Sequence, residues 1–132
     1  MNLCFKDNYM KLIDSNNYVT KRQSLEILAL IMKDSQTVGQ LFSRQTTRLN
    51  TILALLWHQY RHIRFRALNI FNVLISGQWD RTSTVVHYLI GQPDRHRLTT
   101  LLKQFRDYRT KCKLFLDLKP FADKLIDFLD KL

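Results

Sequence analysis

The sequence predicts an all-α fold, a short solenoid of helical repeats, and two observations carry that prediction. Apolar residues recur at intervals of three and four rather than two, the spacing that puts them on one face of an α-helix, and no stretch alternates as a strand would. The sequence also copies itself: shifted by 43 residues, RQSLEILALIM (Arg22 to Met32) falls on FRALNIFNVLI (Phe65 to Ile75). Ser24 then pairs with Ala67, Leu25 with Leu68, Ile27 with Ile70, Leu28 with Phe71, Leu30 with Val73, Ile31 with Leu74 and Met32 with Ile75. Periods of about 40 to 47 residues are those of armadillo and HEAT units, whose helices cannot bury an apolar face alone and must stack on their neighbours. An ordinary helical bundle with a coincidental match is the alternative.

The elements follow in order. A first helix is expected over Leu3 to Ile13. A second is capped by Asn17 and ended by Asp34-Ser35, with Leu25, Leu28, Ile31 and Met32 on one face. Helices over Thr37 to Ser43 and Thr47 to Trp57 come next, and Gln59-Tyr60-Arg61 reads as a junction. Ile63, Ala67, Ile70, Phe71, Leu74 and Ile75 line the helix before Gly77. Thr82 to Ile90, Asp94 to Tyr108 and Pro120 to Leu132 complete the set, with Pro120 as a helix-opening residue whose missing amide costs nothing there. The chain is thus expected to be one domain over 1–132, with repeats at about 14–56 and 57–90 and degenerate or capping helices over 94–132. A shift of another 43 residues fails, since it sets Lys111 where Leu68 stands. A solenoid cut between repeats exposes an apolar end. Leu3, Phe5, Tyr9, Met10, Leu12 and Ile13 either seal that end or leave it open to self-association.

Composition narrows the chemistry. A chain of 132 residues buries enough surface to fold without metal or disulfides, so Cys4 and Cys112 read as reduced residues of an intracellular protein. Lys6 and Asp7 precede any long apolar run, and no run of 18 apolar residues exists, which excludes a secretory signal and a membrane span and implies a cytosolic or nuclear protein. Gly39, Gly77 and Gly91 stand too far apart for a phosphate-cradling loop. His58 and His62 share a helical spacing but lack a third ligand nearby, so no metal is expected. Nothing around Cys112 resembles a nucleophile turn. Asp117, Asp123, Asp127 and Asp130 interleave with Lys119, Lys124 and Lys131 as a solvated face with intrahelical ion pairs. No catalytic residue and no cofactor is expected.

The net charge of +10 is concentrated in the middle: residues 44–113 hold 13 basic and 3 acidic side chains. Such a segment is either a solvated arginine-rich face or a binding surface. Tyr60, Arg61, Arg64, Phe65 and Arg66 combine charge with rings, which keeps a basic nucleic-acid-binding protein as the alternative function. No nucleic-acid signature accompanies them. Arg64 and Arg66 are expected to lay their stems along the apolar stripe with guanidinium groups in water.

The stretch NYVTKRQSLEIL (Asn17 to Leu28) closely resembles the Mo-twenty-five scaffold family, also called calcium-binding protein thirty-nine. A second block, LLWHQYRHIRFRALNIFNVLISG, resembles its next repeat, and weaker similarity runs through VVHYLI and LLKQFRDYR. The resemblance implies the C-terminal part of an armadillo-like scaffold, not an enzyme. It implies binding of a Ste-twenty-type kinase or a pseudokinase, whose Trp-Glu-Phe tail enters a groove. By position, Arg22 matches a groove arginine and Leu53 replaces a methionine of similar volume; Arg64 is the third groove residue expected. Glu26 and Gly91 stand where the family has lysines, so this groove loses two cations and gains a carboxylate, which disfavours an acidic tail. No EF-hand loop supports the calcium name.

Overall fold

The computed structural model describes residues 7–75 and 84–131. Leu3, Cys4, Phe5, Gly77 and Arg81, and with them the expected starts of the first and sixth helices, lie outside the described residues. The described chain is all α, with eight helices: α1 (Asp7–Ile13), α2 (Tyr18–Asp34), α3 (Gln36–Ser43), α4 (Thr46–Leu55), α5 (Arg61–Ile75), α6 (Thr84–Ile90), α7 (Arg95–Asp107) and α8 (Lys113–Asp130). They fall into two compact units, one within Met1–Ser76 and the other within Gly77–Leu132.

In the first unit, local chemistry sets the boundaries. Asn17 caps α2 by accepting a hydrogen bond from the Thr20 amide at 3.0 Å, filling one of the donors a helix start leaves unmatched. Ser35 serves two helices. Its amide donates to the Ile31 carbonyl at 2.9 Å to end α2, and its hydroxyl accepts from the Val38 amide at 3.3 Å to open α3. α1 is tied to α2 by Tyr9, whose hydroxyl donates to the Ser24 carbonyl at 2.6 Å, and by Lys21, whose ammonium donates to the Ile13 carbonyl at 2.6 Å. Ile13 ends α1, so its carbonyl has no partner within that helix and Lys21 supplies one. Burial pushes the Lys21 ammonium below its usual pKa, partly opposed by Asp14.

The two sequence-related helices, α2 and α5, pack on each other. Four of the seven paired positions are buried in both: Ser24 and Ala67, Leu25 and Leu68, Leu28 and Phe71, Met32 and Ile75. The other three differ. Ile70 is fully buried, whereas Ile27, Leu30 and Ile31 are 48%, 62% and 37% exposed. Ile31 therefore does not share the buried face of Leu25, Leu28 and Met32, because only one side of α2 meets the unit's interior.

In the second unit, Asp94 caps α7 by accepting from the Arg97 amide at 2.9 Å. α7 and α8 pack together, with Phe105 and Phe115 edge to face at 6.4 Å between ring centroids. Lys119 donates to the carbonyls of Arg106 and Tyr108 at 2.9 and 2.7 Å, so it satisfies the C-terminal end of α7 instead of sitting in a solvated row of ion pairs.

Pro120 corrects the expected start of the last helix. α8 begins at Lys113 and carries Pro120 in its interior. Phe115, Leu118, Phe121, Ala122, Leu125, Ile126 and Leu129 keep three- and four-residue spacing straight through the proline and are all buried. An interior proline costs about 3 kcal/mol, whereas burying a large apolar side chain contributes about 1.5–3 kcal/mol. Phe115 and Leu118 together therefore outweigh it. The carbonyl of Leu116, which Pro120 leaves without its helical donor, belongs to a half-exposed residue that water reaches. Pro120→Ala is expected to stabilise the second unit by about 1–3 kcal/mol, read as a raised midpoint in urea. A lowered midpoint means that the ring itself is needed for packing.

Candidate functional site

Tyr18, Arg22 and Glu26 follow at four-residue intervals on α2 and so share one side of it. The Arg22 guanidinium lies 5.7 Å from the centre of the Tyr18 ring, a cation–π arrangement. Tyr18 in turn meets Tyr60 edge to face at 5.4 Å, and Tyr60 lies 5.4 Å from His58. α5 closes the other side. Arg66 Nε donates to Glu26 Oε1 at 2.6 Å, a charge-assisted bond between a side chain only 13% exposed and one 39% exposed. Arg22 Nε approaches the same oxygen at 3.9 Å, an ion pair but not a hydrogen bond, and this nitrogen is out of solvent with no hydrogen-bond partner.

The structure thus brings Arg22 and Glu26 together and adds Arg66, whose guanidinium is bonded to Glu26 and not in water as its place beside the apolar stripe predicts. Glu26 and Arg66 are 40 residues apart, close to the repeat spacing, and that near-coincidence was the signal that they face each other. Arg64 has a different task. Its Nη1 donates to the carbonyls of His58 and Gln59 at 2.8 and 3.1 Å, bracing the α4–α5 junction. Phe65 is buried, so Tyr60, Arg64, Phe65 and Arg66, four of the five residues that suggest nucleic acid, have partners or burial within the fold. Leu53 stands half-buried on α4, and Gly91 follows α6 in the second unit.

Glu26 answers Arg66 directly and Arg22 at longer range, so what the site offers a partner is the Arg22 guanidinium beside the Tyr18 ring, suited to a hydrogen-bond acceptor more than to a strongly acidic group. The two histidines at its edge are held neutral. Burial pushes His62 down, and Arg66, Arg61 and Arg22 push further. Burial also pushes His58 down, with Lys21 and Arg64 adding to it. His58 Nδ1 accepts from the Tyr60 amide at 3.0 Å, a bond that protonation of that nitrogen would remove. The unfolded histidines titrate near the usual value of about 6.5 and the folded ones lower, so just below pH 6.5 the unfolded chain holds more protons. Stability is therefore expected to fall as pH drops from about 7.5 to about 5.5, seen as a declining melting temperature. A His58→Asn, His62→Gln variant should flatten that slope.

Among the described residues there is no group of three histidine, cysteine, aspartate or glutamate side chains that could hold a metal ion, and no helix is long and apolar enough to cross a membrane. Cys112 is exposed just before α8.

Side-by-side packing of sequence-related helices, with a polar site built where they meet, defines a helical-repeat protein of the kind that works by binding. Within that class the chain belongs to the Mo25-like family, whose profile matches residues 2–130. This family is an armadillo-like fold and a non-catalytic scaffold family. The chain is 32% identical over 128 residues to the "Calcium-binding protein 39-like" of Mus musculus, covering 95% of this chain and 37% of that protein. It is 31% identical over 128 residues to the Homo sapiens protein of the same description, with the same coverage. Against the "Mo25-like protein" of Schizosaccharomyces pombe it is 28% identical over 127 residues, covering 95% of this chain and 38% of that one. It therefore spans less than two-fifths of the length of the curated relatives it matches.

Proposed function

We propose that this chain is a cytoplasmic scaffold module that binds a Ste-twenty-type protein kinase or a related pseudokinase, with Arg22 as the principal recognition residue. The observation that carries this reading is Arg22 itself, one-third exposed and set against the Tyr18 ring, within the stretch Asn17 to Leu28 that resembles the family. Leu53 and Arg64 complete the proposed groove, Leu53 with apolar volume and Arg64 by bracing the junction beside it. Repeats at about 14–56 and 57–90, with degenerate or capping helices over 94–132, belong to the same proposal; the shared burial of paired positions in α2 and α5 supports the repeat pairing.

Glu26 sets the limit on what the groove accepts, and Gly91, in the second unit, has a limit of its own. Glu26 already answers Arg66 and Arg22, so an acidic tail meets a carboxylate where a cation would favour it. At Gly91 an added Cβ would lie 2.9 Å from the His87 carbonyl oxygen, so a lysine there requires the backbone to move. The partner's kinase-like domain is therefore expected to bind more tightly than its isolated Trp-Glu-Phe tail.

Titration calorimetry with a Ste-twenty-type kinase domain, a pseudokinase domain and a Trp-Glu-Phe peptide tests this. Binding of either domain that Arg22→Ala weakens about tenfold or more supports the reading. No binding by either domain, together with duplex or single-stranded nucleic acid bound with a steep salt dependence, transfers the assignment to the nucleic-acid class.

A further inference from the structure

We propose that the extended segment 108–112 between α7 and α8, together with the first residue of α8, is a docking strip for an acidic peptide bound in extended form, recognised by Arg109, Lys111 and Lys113. The segment joins the two helices without a turn or a bend, and Tyr108 and Cys112 at its ends both have extended backbone angles. Alternate side chains of such a chain lie on one side of it, about 6.6 Å apart. Arg109, Lys111 and Lys113 hold these alternate positions and are exposed, whereas Tyr108 and Thr110 are half-buried. All of these residues belong to the second unit, so the proposal does not depend on the kinase reading of Arg22.

The cations of this strip lack counter-charges. Arg106 reaches Asp107 at 3.2 Å, but no described carboxylate pairs with Arg109, Lys111 or Lys113. Lys113 also opens α8, whose first turn holds no acidic residue, so it sits at the positive end of a helix, where an arriving carboxylate is favoured. The main chain is open as well: the amides of Arg109, Thr110 and Lys111 donate to no described group, which leaves an edge that a second extended strand can pair. Both ends of the strip are tied down. Lys119 holds the carbonyls of Arg106 and Tyr108 at 2.9 and 2.7 Å, and the Cys112 amide donates to Thr110 Oγ1 at 3.0 Å while its carbonyl accepts from the Leu116 amide at 3.0 Å. A strip ordered in advance costs a ligand less to bind. A neighbouring repeat does not suit this surface, because repeats stack on apolar faces and burying three unpaired cations is costly. A peptide with carboxylates at alternate positions matches both the spacing and the main-chain edge. Single-stranded nucleic acid matches neither the edge nor the need for a ring to stack on, since the one ring of the segment, Tyr108, is half-buried.

The test is fluorescence anisotropy at low salt of a labelled peptide in which glutamate and threonine alternate, titrated with the whole chain. Saturable binding is expected, severalfold tighter than that of a peptide of the same composition with its glutamates in one block. Arg109→Glu with Lys111→Glu should weaken it about tenfold or more. Both positions are exposed, so this variant should keep the parent's circular dichroism. Lys11→Glu with Lys33→Glu, exposed in the first unit, makes the same change in net charge and should leave the affinity within about twofold of the parent's. Absence of saturable binding overturns the proposal, as does equal weakening by the two double variants, which would make net charge the cause. Equal affinity for the blocked peptide overturns the extended register. A labelled single-stranded oligonucleotide that binds more tightly than the alternating peptide, and is lost in the Arg109→Glu, Lys111→Glu variant, overturns it by making nucleic acid the occupant.

Discussion

Glu26→Lys is expected to destabilise the first unit by about 2 kcal/mol, even though it restores the residue type that the family resemblance places there. The Glu26 carboxylate is the acceptor for Arg66 at 2.6 Å and the counter-charge for Arg22 at 3.9 Å. A hydrogen bond to a charged group contributes about 1.5–3 kcal/mol, and the partner left behind, Arg66, is only 13% exposed and loses its counter-charge in a poorly hydrated place. Because Glu26 is itself 39% exposed, water screens part of the added repulsion, which holds the cost near the middle of that range. Urea denaturation measures it. Glu26→Gln keeps an acceptor and should cost less, whereas Glu26→Lys with Arg66→Met removes the stranded cation and should recover much of the loss. Should the lysine variant prove as stable as the parent, the Glu26–Arg66 bond contributes nothing to folding. Affinity for an acidic Trp-Glu-Phe tail has to be measured at a temperature where the variant remains folded, since stability and binding move in opposite directions here.

Phe71→Ala should have the largest effect on stability, about 3–5 kcal/mol, set by the lost transfer free energy of the ring and the cavity left behind. Phe71 is fully buried on α5 and is the repeat equivalent of Leu28, which is fully buried on α2. Against a total stability of about 5–15 kcal/mol for an ordinary domain, such a loss leaves the first unit marginal at 25 °C. Phe71→Leu keeps most of the volume and should cost far less. Leu30→Ala, at a position 62% exposed, should change the stability measured in urea by no more than about 0.5 kcal/mol. Equal losses for Phe71→Ala and Leu30→Ala would mean that Leu30 is covered in solution.

Much of the fold was legible because it depends on near neighbours in sequence. The Asn17 and Asp94 caps, the Ser35 boundary and the three- and four-residue apolar spacing each involve residues a few positions apart. The start of the last helix is not legible in the sequence because its local signal is misleading. Pro120 marks a helix start by itself, and only packing of the earlier residues Phe115 and Leu118 against their surroundings carries the helix through it. The candidate site was half legible. Arg22 was singled out by resemblance and Glu26 by charge, but Arg66 and the Tyr18–Tyr60 pair join residues some 40 positions apart, where local pattern is silent.

The sequence by itself determined the helical class, most helix boundaries, the repeat offset and the family, because period, caps and motif are properties of short stretches. Tertiary structure alone decided which side of each repeat helix is covered. Ile27 and Ile70 are the same residue at equivalent places, yet one is 48% exposed and the other fully buried. Nothing in either stretch distinguishes them. The difference lies in whether a neighbouring helix stands beside them, and that neighbour also turns Glu26 from a lone carboxylate into the acceptor that holds Arg66.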